Sequence, residues 1–214
     1  MKKEHSTIVL EGKISHLTNL VNAFLSYTPK NSRVTYLEIG AHRGRSMVTI
    51  TNILKDKFEH LHVVGYDIFN NESPEFHIAE DNGKGAGSFG KCDKALRKIV
   101  KRNNNVSYKL VEGLTTNTLK STAVEFAYID GGHSYETVKW DHEQLKGCNI
   151  IVFDDSDLPG VNRYLWEIKN QYNLYNLGER QAIIINDEEN FNFSSAIGIK
   201  EFKGKDPETY VSLR

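Results

Sequence analysis

The stretch YLEIGAHRGRS, residues 36–46, decides which fold this sequence predicts. It begins as an apolar strand, passes through Gly40 and Gly44, and leads directly into an amphipathic helix. In open α/β sheets, ligands bind beyond the carboxyl ends of the strands, where glycine permits close approach and a helix N-terminus offers N–H groups. The stretch therefore predicts a ligand site at a strand–loop–helix junction.

The spacing of the two glycines indicates the kind of ligand. A dinucleotide fingerprint reads G-x-G-x-x-G, but here three residues separate the glycines and His42 stands where the middle glycine would be. This spacing disfavours a nicotinamide cofactor held by its pyrophosphate. Asp67 ends the next apolar run and is placed to accept hydrogen bonds from both hydroxyls of a ribose. The loop and this carboxylate together resemble an adenosyl site for a cofactor without phosphates.

Strand-like and helix-like segments alternate along the chain. Short β-rich runs predict strands over residues 34–39, 61–66, 106–111, 124–129 and 149–153. Helical spacing of apolar residues predicts helices over residues 14–26, 46–57, 89–102, 134–146 and 161–171. A closing antiparallel pair is predicted over residues 181–186 and 194–200. The fold class is therefore α/β, with a mostly parallel sheet covered by helices on both faces.

The segments outside this alternation are consistent with a single domain over residues 1–214. Residues 1–30 form a predicted N-terminal helical segment, and no composition shift marks a linker between domains. Residues 69–88 are rich in Asn, Glu and Gly and are longer than compact connections usually need, which predicts a lid loop.

Charge and cysteine usage limit the partners and the compartment. The 27 Lys and Arg residues balance 28 Asp and Glu residues, so no basic field predicts a nucleic-acid or membrane partner. Cys92 and Cys148 are isolated, and no apolar run is long enough for a signal peptide or a membrane span. We therefore expect a cytoplasmic protein with a small-molecule partner.

Carboxylates follow the fourth and fifth predicted strands, in YIDGGHSY at residues 128–135 and FDDSDLPG at residues 153–160. If these strands are neighbours, three carboxylates converge at one point: Asp130, Asp154 and Asp155. Like charges so close together require protons or a cation to neutralise them. Oxygen ligands without cysteine predict Mg²⁺, with Mn²⁺ or Ca²⁺ as substitutes.

His133 follows the first of these carboxylates by three residues and is a candidate general base. It could equally orient the substrate or a carboxylate, or cap the helix that begins near Ser134. The Asp-Gly-Gly sequence before it is also typical of a tight turn.

With these motifs the sequence resembles class I S-adenosylmethionine-dependent methyltransferases, especially the metal-dependent O-methyltransferases similar to macrocin O-methyltransferase and the cephalosporin hydroxylase group. The resemblance covers about residues 34–167. It rests on Glu38-Ile39-Gly40 with Gly44 and Ser46, on residues 129–135, and on Phe153-Asp154-Asp155 followed by Pro159-Gly160-Val161. It implies a single Rossmann-like, doubly wound sheet of seven strands in the order 3-2-1-4-5-7-6, with strand 7 antiparallel.

The same resemblance implies the site residues. Cofactor contacts fall on Glu38, Gly40, Ala41, Gly44, Ser46, Asp67, Glu112, Gly113 and Asp130. Implied metal ligands are Asp130, Asp154 and Asp155, and the implied catalytic residues are His133 and Asp130. The implied reaction is methyl transfer from S-adenosylmethionine to a hydroxyl of a small molecule or sugar, assisted by Mg²⁺ or another hard divalent cation.

Two other classes of function remain open. A metal-dependent hydrolase could use the same carboxylates with a water nucleophile, but it would leave the glycine loop and Asp67 without a ligand. A non-catalytic binding module could keep the fold without the chemistry. Cofactor binding separates the methyltransferase from the hydrolase, and turnover separates it from the binding module. The oligomeric state, monomer or homodimer, is also open.

Overall fold

The fold is built on one central sheet, whose parallel strands position the candidate site. The computed structural model describes residues 14–30, 32–69, 88–178, 180–196 and 198–206. The strands are β1 Arg33–Ile39, β2 His60–Asp67, β3 Val106–Glu112, β4 Phe126–Ile129, β5 Ile150–Phe153, β6 Leu174–Gly178, β7 Gln181–Ile185 and β8 Lys200–Glu201. Their order in the sheet is β3-β2-β1-β4-β5-β7-β6-β8.

The strand directions confirm the expected topology. Strands β1 to β5 run parallel to their neighbours, and β7 is antiparallel to both β5 and β6. Strands β4, β5 and β7 are buried along their whole length, as their continuous apolar sequences predict for the centre of such a sheet.

Helices cover both faces of the sheet. They are α1 Ile14–Leu25, α2 Arg45–Leu54, α3 Phe89–Val100, α4 Thr115–Thr118, α5 Tyr135–Gln144 and α6 Pro159–Ile168, and a 3₁₀ turn spans Glu188–Asn190. One apolar core contains buried residues of α1, α2 and α3, such as Phe24, Ile50 and Leu96. The second core contains buried residues of α5 and α6, such as Val138 and Leu165. The α/β class with helices on both faces is confirmed.

The closing strands differ from the prediction at two points. The strand predicted over residues 181–186 is confirmed as β7, but the strand predicted over 194–200 is wrong, because residues 193–195 form a turn and only Lys200–Glu201 pair with β6. The partner of β7 is instead β6, a five-residue stretch in which Asn176 and Gly178 interrupt the apolar residues. The described sheet accordingly has eight strands rather than seven. Pairing with buried β7, rather than local sequence, creates β6.

Some predictions fall partly outside the described residues. Helix α1 agrees with the helix predicted over 14–26, while the rest of the N-terminal segment, residues 1–13, lies outside the described ranges. Residues 70–87 of the predicted lid also lie outside them. None of the helices within the described ranges is long and apolar enough to cross a membrane.

Candidate active site

The loop after β1 lies against the ends of two neighbouring strands. Gly40 has a φ of 90°, and its amide donates a hydrogen bond to the Tyr66 carbonyl of β2 at 2.9 Å. A Cβ at this position would lie 1.8 Å from the backbone oxygen of Asp130, which follows β4. Only glycine fits here, because both the φ value and the space exclude a side chain. The loop therefore forms the backbone-lined cradle that the sequence predicts for a cofactor.

The second glycine of the loop begins helix α2. Gly44 has a φ of 78°, and its amide donates to the carbonyl of the buried Ala41 at 2.7 Å, which closes a tight turn. A Cβ on Gly44 would lie 2.7 Å from Cys92 Sγ, so glycine also lets α3 approach the loop. The turn directs the N-terminus of α2 towards the carboxyl edge of the sheet, as the cofactor prediction requires.

Asp67 organises this loop. Its Oδ2 accepts the His42 amide at 2.7 Å and its Oδ1 accepts the Phe69 amide at 2.6 Å. Each carboxylate oxygen can accept more than one hydrogen bond, so these two bonds leave capacity for the hydroxyls of a ribose. Ribose binding by Asp67 stays a prediction, and the structure adds that Asp67 ties the ends of β1 and β2 together.

Glu38 is fully buried beneath the loop. Its carboxylate accepts hydrogen bonds from the hydroxyls of Tyr36 and Ser46, which joins β1 to the first turn of α2. Burial raises the pKa of Glu38 to about 7, although the two hydroxyl donors oppose the rise. Glu38 and Ser46 thus support the loop from below, and direct contact of either with a cofactor stays a prediction.

The end of β3 closes the adenosyl side of the edge. Glu112 pairs with Asp67 in the β2–β3 register, and the amide of Gly113 donates to the Asp67 carbonyl at 2.9 Å. Gly113 has a φ of 126°. The structure thus brings both predicted adenine-side residues next to the predicted ribose ligand.

The predicted lid begins and ends beside the glycine loop. The rings of Phe69 and Phe89, on either side of residues 70–87, pack edge to face with centroids 5.3 Å apart. The Ser88 amide donates to the His42 carbonyl at 3.1 Å. Both ends of this segment are therefore at the candidate site.

Asp130 and Asp154 form a carboxyl pair at the ends of β4 and β5. Burial raises the pKa of Asp130 well above its usual value, and the charges of Asp154 and Glu38 raise it further. A hydrogen bond joins the two carboxyl groups, and Gln181 Nε2 donates to Asp154 Oδ1 at 3.1 Å. Asp130, with its raised pKa, is therefore the carboxyl that holds a proton in this pair.

Asp155 is directed away from this pair. It has a φ of 50°, and its Oδ2 lies 3.2 Å from His133 Nε2. Its Oδ1 forms an ion pair with Arg180 Nη2 at 2.9 Å, and Arg180 Nε donates to Asp157 at 2.8 Å. Burial and then the charge of Asp154 raise the pKa of Asp155, while the charges of His133 and Arg180 oppose the rise. The structure therefore pairs the candidate base His133 with a carboxylate, which is one of the alternatives that the sequence left open.

The donor set does not fit the predicted magnesium site. Across the described ranges, no group of three or more His, Cys, Asp or Glu side chains has metal-binding geometry. Asp130 and Asp154 could hold a cation between them, but Asp155, the third predicted ligand, contacts Arg180 and His133 instead. A guanidinium supplies the positive charge for which the sequence analysis had assigned a metal ion.

Sequence reasoning missed Arg180 and Gln181, although a signal was available. Because β7 is antiparallel to β5, its first residues lie at the carboxyl end of β5, where Phe153 pairs with Ala182. Polar residues at the start of a predicted antiparallel strand therefore belong to the same edge as the strand-end carboxylates.

Asp141 was also missed. This residue of α5 is completely buried, and neither carboxylate oxygen has a hydrogen-bond partner in the described structure. Burial raises its pKa to about 6, and the nearby Thr115 side chain opposes the rise. Asp141 Oδ2 lies under the turn that follows β4, 3.7 Å from where a Cβ on Gly131 would be.

Two open surface cavities lie at the opposite edge of the sheet. One, of about 340 Å³, is lined by residues at the starts of β1, β2 and β3, and the other, of about 370 Å³, lies next to residues 27–32. The glycine loop and the strand-end carboxylates are at the other edge, which is where open α/β sheets bind ligands. We therefore place the candidate site at the carboxyl edge.

The fold and this edge define a class of protein. The sheet order and the glycine loop between β1 and α2 are those of a Rossmann-like methyltransferase fold. A family profile described as "Methyltransferase domain" matches residues 37–156, more than half of the chain. The chain belongs to this methyltransferase domain family. No curated protein matches the sequence.

Solved structures with a similar fold are distant in sequence. A candidate O-methyltransferase from Klebsiella pneumoniae is 13% identical, with 85% of this chain and 82% of that chain covered and a TM-score of 0.49. The methyltransferase PaMTH1 from Podospora anserina, bound to S-adenosylhomocysteine, is 18% identical, with coverage of 71% and 70% and a TM-score of 0.46. A Geobacter sulfurreducens S-adenosylmethionine-dependent methyltransferase is 16% identical, with a TM-score of 0.39. The match covers 64% of this chain and spans 46% of that longer chain.

Proposed function

We propose that this protein transfers a methyl group from S-adenosylmethionine to a hydroxyl group of a small molecule or sugar. The observation that carries the proposal is the His133–Asp155 pair, which lies at the same edge of the sheet as the glycine loop. The chain also belongs to the methyltransferase domain family. When bound, S-adenosylmethionine supplies an electrophilic methyl group on a sulfonium. The protein must then hold a hydroxyl oxygen in line with it and remove the proton.

The residues present fit this cofactor. The Gly40 cradle leaves no room for a Cβ, so backbone lines the site, and Asp67 retains acceptor capacity for ribose hydroxyls. The negative charges at this edge also favour a ligand that carries a sulfonium cation. Glu112, which pairs with Asp67, and Gly113, whose amide donates to the Asp67 carbonyl, are proposed to contact the adenine.

His133 is proposed to accept the proton of the acceptor hydroxyl. The neutral imidazole takes this proton on a ring nitrogen, and Asp155 Oδ2 lies 3.2 Å from its Nε2. Asp155 then stabilises the imidazolium that forms. Magnesium is not part of the proposed reaction, because Asp155 is engaged by Arg180.

Calorimetric titration tests the cofactor. We expect S-adenosylmethionine to bind saturably and NAD, the control ligand, not to bind, because the loop lacks the dinucleotide spacing. Transfer of a radiolabelled methyl group to a panel of sugars, phenols and alcohols would then identify the acceptor. Absence of S-adenosylmethionine binding would overturn the proposed function. Binding without methyl transfer to any acceptor would favour a non-catalytic module.

Replacing His133 by alanine should lower kcat by about 10² to 10⁴-fold, the usual contribution of a general base. Binding of S-adenosylmethionine should be unchanged, because His133 lies on the acceptor side, next to Asp155. His62→Ala is the matched control, since His62 lies at the opposite edge and bonds to Ser107. A His133→Ala variant with wild-type kcat would show that His133 is not the base.

Replacing Asp154 by alanine should abolish methyl transfer and leave cofactor affinity nearly intact. Asp154 directly follows β5, and its carboxyl is hydrogen-bonded to that of Asp130 and to Gln181 Nε2, so its loss would disturb the carboxylates next to His133. Calorimetry and single-turnover transfer with the same protein sample would separate the two effects. Collapse of cofactor affinity in this variant would instead assign Asp154 to the cofactor.

Other sequence-based expectations stay predictions. These are the choice between sugar and other hydroxylated acceptors, the absence of nucleic-acid and membrane partners, the cytoplasmic location and the monomeric or homodimeric state.

A further inference from the structure

The start of β7 is attached to the acidic loop after β5 through both backbone and side chains. The Ser156 amide donates to the Arg180 carbonyl at 2.7 Å, which fixes this loop against the first residues of β7. In the β5–β7 register, Phe153 pairs with Ala182. Arg180, just before β7, and Gln181, its first residue, therefore face three carboxylates of the loop that follows β5: Asp154, Asp155 and Asp157.

Arg180 bridges two of these carboxylates. Its Nη2 is 2.9 Å from Asp155 Oδ1, and its Nε is 2.8 Å from Asp157 Oδ1. The guanidinium fork holds both at once, which a lysine can do only as a point charge. Because Asp155 Oδ1 is held by Arg180, its Oδ2 is left facing His133 at 3.2 Å.

Gln181 holds the third carboxylate without adding charge. It is buried, and its Nε2 donates to Asp154 Oδ1 at 3.1 Å and lies 3.5 Å from the Tyr128 hydroxyl. Asp154 thus faces the protonated carboxyl of Asp130 and a neutral amide, while Asp155 and Asp157 face a cation.

We propose that Arg180 is the built-in cation of this site, a positioning residue that turns Asp155 towards His133 and takes the place of a divalent metal ion. Carboxylates this close require a neutralising charge, and the chain supplies it from β7. A guanidinium at this position also repels a second cation and withdraws Asp155 from any ligand set with Asp130 and Asp154. The inference concerns the proposed methyltransferase site, but its test measures metal binding and needs no methyl transfer.

Binding of Mn²⁺ to the full chain tests the inference directly. Water-proton relaxation or calorimetry would compare wild type with Arg180→Ala, after dialysis against a chelator. We expect no binding to wild type at concentrations up to about 1 mM, and a dissociation constant at least about tenfold lower for Arg180→Ala, since the variant exposes three carboxylates without a cation. Arg97→Ala is the charge-matched control, because Arg97 pairs with Asp93 on exposed α3.

The conservative variant Arg180→Lys shows whether a change in Mn²⁺ binding comes from the lost positive charge or from misfolding. Arg180→Lys keeps the positive charge, so it should not gain Mn²⁺ affinity, although it should lose the two-pronged contact with Asp155 and Asp157. If Arg180→Ala does not fold, Arg180→Gln provides the neutral side chain for the same comparison. Micromolar binding of Mn²⁺ to wild type would overturn the inference, as would equal affinities of wild type and the neutral variant. Failure of the proposed function, by contrast, would appear as absence of S-adenosylmethionine binding.

Discussion

Gly40→Ala is expected to destabilise the protein by about 3 kcal/mol or more and to abolish cofactor binding. The added Cβ would lie 1.8 Å from the Asp130 carbonyl oxygen, a backbone atom that can move only if β4 moves. The φ of 90° adds strain that alanine cannot relieve. Urea unfolding would measure the change in free energy, and calorimetry with S-adenosylmethionine would measure binding.

Gly90→Ala is the matched control for this change. Gly90 lies near the start of α3, and a Cβ there would meet nothing within 4 Å. Alanine is the better helix former, so we expect this variant to be as stable as wild type or up to about 1 kcal/mol more stable. A Gly40→Ala variant with wild-type stability and cofactor affinity would show that β1 and β4 do not approach each other as closely as described.

Asp141→Asn is expected to stabilise the protein by about 1 to 3 kcal/mol at pH 7.5. Asp141 is completely buried without a hydrogen-bond partner among the described residues, and burial raises its pKa from 3.8 to about 6. The folded state thus binds the proton more tightly than the unfolded state. In wild type, Asp141 does not affect the free energy of unfolding below about pH 4, where it is protonated in both states. As the pH rises to about 6, it increasingly destabilises the folded state, and above that pH the destabilisation stays constant. Asparagine removes the charge but keeps the shape.

Thermal and urea unfolding between pH 4 and pH 8 would measure this effect. The stability difference between Asp141→Asn and wild type should be largest above pH 6 and should shrink towards pH 4. Asp56→Asn is the control, because Asp56 is exposed and pairs with the neighbouring, partly exposed Lys55, so its replacement should change little. If Asp141→Asn is less stable than wild type at pH 7.5, the carboxylate has a charge-stabilising partner in solution.

Most of the sheet could be predicted because its strands are locally recognisable. The runs that became β1 to β5 are apolar and end at Gly, Asp or Glu, and the predicted helices between them overlap α2, α3, α5 and α6. The carboxyl ends of parallel strands all lie at one edge of the sheet. The sequence alone could therefore predict a common site for the residues at these ends: Gly40, Asp67, Asp130 and Asp154. Local pattern and alternation therefore determined the fold and the position of the site.

Strand β6 and the chemistry around Asp155 depended on contacts between distant parts of the chain. Leu174–Gly178 contains Asn176 and Gly178, which are uncommon in strands, and it becomes a strand by pairing with buried β7. The same antiparallel β7 brings Arg180 and Gln181 to the end of β5. A carboxylate's local sequence does not indicate whether a metal ion, a proton or a guanidinium will neutralise it. That choice depends on which side chain packing brings within about 3 Å, and here the tertiary structure selected Arg180 for Asp155 and a proton for Asp130.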